Sequence, residues 1–295
     1  MPDQGARDLG DGGARLRALI VTGHTDMHHD WRTVTPMLAD LLRSTGRFDV
    51  RVTEEFRGAG PETLEPYDVL MLNYFGRFEP WGHAPETRWG ERAERALYDH
   101  VAAGRGAVVY HASLQLGSGW GDDFEKMAVG VMREHCSRRA PINDFRISVA
   151  APGHPVTAGM PASFPHYDDD LYVNLVWPDD ADVEVLLTGW DNPLRYTQVP
   201  DQWDALPGMG QEHPLAWTTR YGQGRVFATG LGHGPEAVSH PSFRGLFARG
   251  VEWAATGAAT IPLPEDFGQP VPGGDWWPTE LEPRVRSMYE SRKAQ

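Results

Sequence analysis

The chain has 295 residues, 40% of them hydrophobic and 23% charged, with a formal net charge of −14. That length supports a sizeable core. The acidic balance excludes a nucleic-acid surface, which needs clustered Lys and Arg, and no window holds the ~18 uninterrupted apolar residues of a membrane helix.

The opening "MPDQGARDLGDGGARLR" has no apolar signal region and reads as a disordered leader over residues 1–16. "RALIVTG" (Arg17–Gly23) is a buried strand. "TVTPMLADLLRSTG" (Thr33–Gly46) puts Met37, Leu38, Leu41 and Leu42 on one helical face, with Gly46 suited to a C′ position. "FDVRVTE" (Phe48–Glu54) alternates as a strand does, and "YDVLMLNYFG" (Tyr67–Gly76) is a buried strand running into a loop. "RWGERAERALYDHVAAG" (Arg88–Gly104) predicts a helix, "RGAVVYHAS" (Arg105–Ser113) a strand and "DDFEKMAVGVM" (Asp122–Met132) a helix with an acidic first turn. This order, with strands too apolar for a wet face, predicts an α/β domain with a mostly parallel, doubly covered sheet.

The middle, Asp144–Leu175, mixes short strands with Pro and Gly turns. "DVEVLLTGWDN" (Asp182–Asn192) is another strand. "PLAWTTRYGQGRVFATGLGHG" (Pro214–Gly234) is a hairpin, and His240–Gly257 the closing helix. The rest, residues 258–295, is a Pro- and Trp-rich arm without periodicity. Its "DWWP" (Asp275–Pro278) predicts an anchor to the domain or to a second copy of the chain, since exposed paired Trp is costly. One α/β domain over 17–257 with a β-rich middle is the expected organisation.

Ligands of open α/β sheets bind beyond the carboxyl ends of the strands. There this sequence collects His24, His28, His29 and Asp30 after the first strand, Asn73 and Tyr74 after the third, His111 after "AVVY", and His233 after "RVFATG". A lone histidine at a strand end is usually a structural residue. Three strand ends carrying His, in a chain with 12, point to one shared site.

The stretches "LIVTGHTDMHHDW", "AVVYHAS", "GHPVTAGMPASFPHYDDDLY" and the hairpin with its closing helix together resemble the ThuA-like (trehalose utilisation) family over about Arg17–Gly257. The resemblance implies a flavodoxin-like, doubly wound fold of the class I glutamine amidotransferase type and a role in the metabolism of trehalose or related sugars. It sets His29, Asp30 and Trp31 against the family's "HDW", His111 against its "HA", and His233 against its "LGH". The family's "DELY" falls on Asp169, Asp170, Leu171 and Tyr172, with Asp170 one methylene shorter than the Glu it replaces. Asp169 is the expected inward-facing carboxylate.

Amidotransferases of this fold place a nucleophilic Cys where this chain has His111. The single Cys136 rules out an intrachain disulfide, lies about 25 residues later and reads as buried or idle. Glutamine hydrolysis through a thioester is therefore not expected, and neither a G-x-S-x-G elbow nor a dinucleotide-binding G-x-G-x-x-G is present. Two chemistries remain. Neutral His29, His111 and His233, with Asp30 or Asp169, can act as general acids and bases on a sugar or keto-sugar. Alternatively the three histidines hold a divalent metal such as Zn²⁺ and support hydrolysis. A non-catalytic sugar-binding module on the same scaffold is the third reading. Trp31, Asn73, Tyr74 and Tyr172 are the candidate substrate contacts. Trp31, Tyr74, Trp81 and Tyr172 serve equally well as packing residues. The expected partner is a small sugar, with self-association through the C-terminal arm, and the expected compartment is the cytoplasm.

Overall fold

Four short apolar runs become neighbouring parallel strands in the computed structural model, which describes residues 15–24, 28–75, 87–116, 120–133, 135–196, 206–270 and 277–293. The first half runs β1 (Leu16–Val21), α1 (Trp31–Ser44), β2 (Phe48–Thr53), α2 (Pro61–Leu64), β3 (Val69–Leu72), α3 (Glu91–Ala102), β4 (Gly106–Tyr110) and α4 (Asp122–Ala128). The second runs β5 (Arg138–Arg139), β6 (Asn143–Val149), β7 (Ser163–Asp169), β8 (Tyr172–Val173), β9 (Val183–Trp190), β10 (Glu212–Tyr221), β11 (Gly224–Thr229), α5 (Pro235–Ser239), α6 (Pro241–Thr256) and α7 (Trp277–Lys293).

Among the described residues, nine strands form one sheet in the order β2-β1-β3-β4-β11-β10-β9-β6-β7. The first five are mutually parallel, and β10, β9, β6 and β7 continue the sheet antiparallel. The β-rich middle therefore widens the expected parallel sheet. In β1, Ala18 and Ile20 pack with α1 and α6, through Leu38, Leu42 and Val251. Leu19 and Val21 pack on the opposite face with Leu97 and Val101 of α3 and Phe124 of α4. Cover on both faces is why these strands show no polar alternation. Reversal of β10, β9, β6 and β7 brings Glu212, Trp190, Asn143 and Asp169 to the same end of the sheet as Val21, Tyr110 and Thr229.

Helix α1 starts two residues earlier than the hydrophobic period alone requires, because Asp30 caps it. Asp30 Oδ1 accepts from the Arg32 amide at 3.1 Å and Oδ2 from Thr33 Oγ1 at 2.6 Å. The closing helix ends at Gly257 in the left-handed conformation, as its sequence suggests. The arm departs from expectation by carrying α7. Its buried residues Glu282 and Tyr289 are seven apart, and Tyr289 Oη donates to the Met209 carbonyl at 3.3 Å. Two inward positions in two turns are too sparse to register as a period. Among the described residues, no helix is long and apolar enough to cross a membrane.

Candidate active site

Three turns at the carboxyl end of the parallel strands build the site. The loop from β1 to α1 brings in His29, 5% exposed, with Asp30 and Trp31 at its rim. His28 is exposed, and the half-buried His24 holds the Phe75 carbonyl at 2.5 Å.

The second turn follows β4. His111 takes φ +40° and opens a short 3₁₀ turn, His111–Gln115. A non-glycine residue there is strained by about 1–3 kcal/mol and persists only when its surroundings over-determine it. Here they do. His111 Nδ1 lies 2.6 Å from the Gly230 carbonyl. Ser113 Oγ donates to the Leu72 carbonyl and accepts from the Tyr74 amide, both at 2.9 Å, which pins the turn to the end of β3.

The third turn follows β11 and carries His233. Gly232 sits at φ +99°, where a Cβ would lie 2.6 Å from Tyr110 Oη and 2.8 Å from the Phe243 ring. Tyr110 Oη donates to the Gly232 carbonyl, so the turn rests directly on the β4 side of the core.

The three imidazoles converge. Ring centroids lie 5.1 Å apart for His29–His111, 4.9 Å for His29–His233 and 5.3 Å for His111–His233. One ring nitrogen from each falls within 4.8 Å of the others, a grouping that can hold a metal ion. The Gly230 carbonyl can only accept, so His111 carries its proton on Nδ1 and presents the Nε2 lone pair to the centre. That Nε2 meets His233 Nδ1 at 3.2 Å and Tyr172 Oη at 3.1 Å. Gln115 Nε2 donates to Tyr172 Oη at 2.7 Å, which leaves the tyrosine's own proton for His111. Burial pulls the His111 pKa down to about 4, so the ring is neutral. At His233 burial opposes the charged form, but the Asp170 carboxylate outweighs it and the pKa is raised.

The two adjacent aspartates have different tasks. Asp169 lies behind the centre, fully buried, and accepts from His166 Nε2 at 2.7 Å, from the Gly232, His233 and Asp170 amides at 2.7, 2.9 and 2.9 Å. Burial alone would raise its pKa, but His166 and the turn amides hold it below the usual range. Asp170 is the carboxylate that faces the imidazoles, with Oδ2 3.3 Å from His233 Nδ1 and Oδ1 3.9 Å from His111 Nε2. Asp168, exposed and left-handed at φ +52°, precedes the two buried aspartates at the end of β7. Sequence reasoning singled out Asp169. The "DDDLY" run and the family resemblance contained Asp170 but could not tell which of two adjacent carboxylates reaches the histidines.

A small, partly open pocket lies at this cluster, lined by His29, Asp30, Trp31, Asn73, His111 and His233 together with Val34, Tyr110 and Ala112. Asn73 is tethered by its amide donating to Thr35 Oγ1 at 2.8 Å, and the Arg32 guanidinium lies 4.6 Å from the Trp31 ring centre. Tyr74 turns away from the pocket. Its ring packs on Trp89 at 4.8 Å, its hydroxyl donates to the Thr87 carbonyl at 2.6 Å, and burial raises its pKa to about 12. Tyr172 touches His111 without lining the pocket. Cys136 is half-buried with Sγ 3.7 Å from the Arg133 carbonyl, away from the pocket lining. Trp81 and Trp276 lie outside the described residues, as do residues 1–14.

The sequence model of the ThuA family, described as trehalose utilisation, matches residues 17–254. A ThuA-like protein from Parabacteroides merdae is 26% identical, superposes with a TM-score of 0.69, and covers 86% of this chain and 95% of its own. A second ThuA-like protein, from Bacteroides uniformis, is 22% identical with a TM-score of 0.59, covering 85% and 95%. A protein from Salmonella typhimurium described as cytoplasmic shares the fold at 15% identity and a TM-score of 0.54, covering 81% and 99%. No curated protein matches the chain at a significant level.

Proposed function

The chain belongs to the ThuA family, and from that premise we propose that it is a carbohydrate-directed enzyme, working on a sugar or keto-sugar by proton transfer or hydrolysis. The observation that carries this reading is the His111–His233 pair. The two rings touch at 3.2 Å, yet burial keeps one neutral while a carboxylate draws a proton to the other. Titratable neighbours whose environments pull their proton affinities apart are how a site separates donor from acceptor at one pH. His233 is the proton donor and His111 the acceptor, with His29 as the third wall. Asp30, Trp31 and Asn73 contribute a polar and aromatic rim for hydroxyls and a ring face.

The test is turnover of trehalose, related disaccharides and their 3-keto forms by the wild type and by His111→Ala. Turnover by the wild type and none by the variant, at unchanged helix content, supports the reading. Sugar binding without turnover by either protein gives the role to a non-catalytic sugar-binding module instead.

Convergence of three imidazoles favours a second reading, a divalent ion such as Zn²⁺. The donor set fits it, because His111 Nε2 carries its lone pair toward the centre while Nδ1 is anchored on a backbone carbonyl, as metal-binding histidines are. His29, His111 and His233 would hold the ion, which when bound supplies an activated water or polarises a sugar carbonyl. The same reading keeps the protein in the cytoplasm with a small-molecule partner. It leaves the C-terminal arm as the segment for self-association, tested by solution mass after truncation at Gly257.

A further inference from the structure

Asp170 is 1% exposed, and neither of its carboxylate oxygens receives a hydrogen bond. Its neighbour Asp169, equally buried, has four donors. A buried carboxylate without donors is costly unless a cation compensates it. The groups within reach are His233 Nδ1 at 3.3 Å, one guanidinium nitrogen of the partly exposed Arg139 at 3.7 Å, and the neutral His111 Nε2 at 3.9 Å.

These distances have a second property. The two ring nitrogens lie 3.2 Å apart, and the Asp170 carboxylate faces both, with Oδ2 3.3 Å from His233 Nδ1 and Oδ1 3.9 Å from His111 Nε2. Ligand atoms about 2.1 Å from a common ion lie roughly 3.0–3.4 Å apart in octahedral and tetrahedral shells. The nitrogen pair and the His233–Oδ2 pair meet that spacing, while the His111–Oδ1 pair is about half an ångström longer. Gly230 already fixes the His111 ring for such a role, and a ring nitrogen of His29 lies within 4.8 Å of those of His111 and His233.

We infer that Asp170 is the anionic ligand of a divalent transition-metal site whose coordinating face is His111, His233 and Asp170, completed by His29. This inference rests on the metal reading of the site and adds to it the carboxylate that balances the ion's charge. Two imidazoles and a carboxylate on one face suit a divalent ion with open positions for water or a sugar oxygen.

The experiment is titration of chelator-treated, full-length protein with Co²⁺ and then Zn²⁺, read by visible absorption, calorimetry and melting temperature. The wild type should take up one ion per chain and melt higher with it. Asp170→Asn should bind about 10- to 100-fold more weakly with an altered Co²⁺ spectrum, whereas Asp170→Glu, which keeps the carboxylate, should retain the ion. Without metal, Asp170→Asn should melt close to the wild type, because it removes a buried charge that only His233 and the partly exposed Arg139 offset. If the wild type takes up no ion, the metal reading and this inference both fall. If it binds and Asp170→Asn binds equally well, only the role of Asp170 falls. A metal-free melting temperature several degrees below the wild type's makes Asp170 the structural partner of Arg139 and His233, and likewise overturns the inference. Full sugar turnover by metal-free protein removes the ion while leaving the carbohydrate-enzyme reading in place.

Discussion

The parallel and antiparallel halves of the sheet handle chemistry in opposite ways. In β1, β3, β4 and β11 every side chain but one or two at the edges is buried, and nearly all are apolar. Reactive groups begin only after the strand stops: His111 follows Tyr110 directly, His233 comes four residues after Thr229, and His29 eight after Val21. The antiparallel half buries polar groups within its strands and at their ends, among them His166 and Asp169 in β7, His213 in β10 and Asp170 just beyond β7. The parallel half therefore supplies the imidazoles through strand-end turns, and the antiparallel half supplies the carboxylates that face and brace them. The candidate site sits where the two contributions meet.

Removing one member from each half tests that division. His111→Ala deletes the strained imidazole and should lower sugar turnover by about 10²- to 10⁴-fold with little loss of fold. Near-wild-type turnover would sink the claim that the strand-end histidine is the working group. Asp169→Ala attacks the opposite half and should act on stability instead. It leaves three amides and His166 Nε2 without their acceptor, a loss on the order of 3–5 kcal/mol by urea unfolding. A cost under ~1 kcal/mol would show that the Gly232–His233 turn does not depend on that clamp.

The sequence shows the two halves with unequal clarity. Buried parallel strands announce themselves as unbroken apolar runs, and helix ends by Gly46 and Gly257, because burial and capping are local in sequence. His29, His111 and His233 are legible because each follows such a strand, where an open α/β sheet places its ligands. The roles of Asp169 and Asp170 are not legible. They depend on the left-handed Asp168 and on a turn 64 residues away whose amides donate to Asp169. Tyr74 deceives for a related reason. A strand end presents successive residues to opposite faces, so Asn73 reaches the pocket while Tyr74 joins the Trp89 cluster beneath it. Helix α7 is hidden because its contacts are sparse and polar.

That helix makes the antiparallel half sensitive to pH. Glu282 docks against the Arg146 amide at 3.4 Å with Arg195 and Glu212 nearby, and burial raises its pKa from 4.5 to about 7. The folded state holds this proton more tightly than the unfolded chain. The stabilisation is full below pH 4.5 and is lost as pH rises through about 7, a change of roughly 3 kcal/mol at most. Glu282→Gln should remove that slope, so melting curves of wild type and variant should diverge from pH 5 to 8, the wild type falling. Parallel curves would mean that Glu282 is not the group titrating.

The smallest effect is expected within the parallel half itself, at two adjacent histidines. His28 is exposed and His29 is 5% exposed, because consecutive side chains entering α1 cannot share a direction. His29 ring contacts reach both His111 and His233, and it lines the pocket, whereas His28 does not line it. His28→Ala should change stability by no more than ~0.5 kcal/mol and leave sugar turnover and ion uptake at wild-type levels. His29→Ala should lower both. Equal responses from the two variants would mean that the loop, rather than the inward imidazole, shapes the site. That outcome would erase the distinction between strand-end residues that face the centre and those that merely follow the strand.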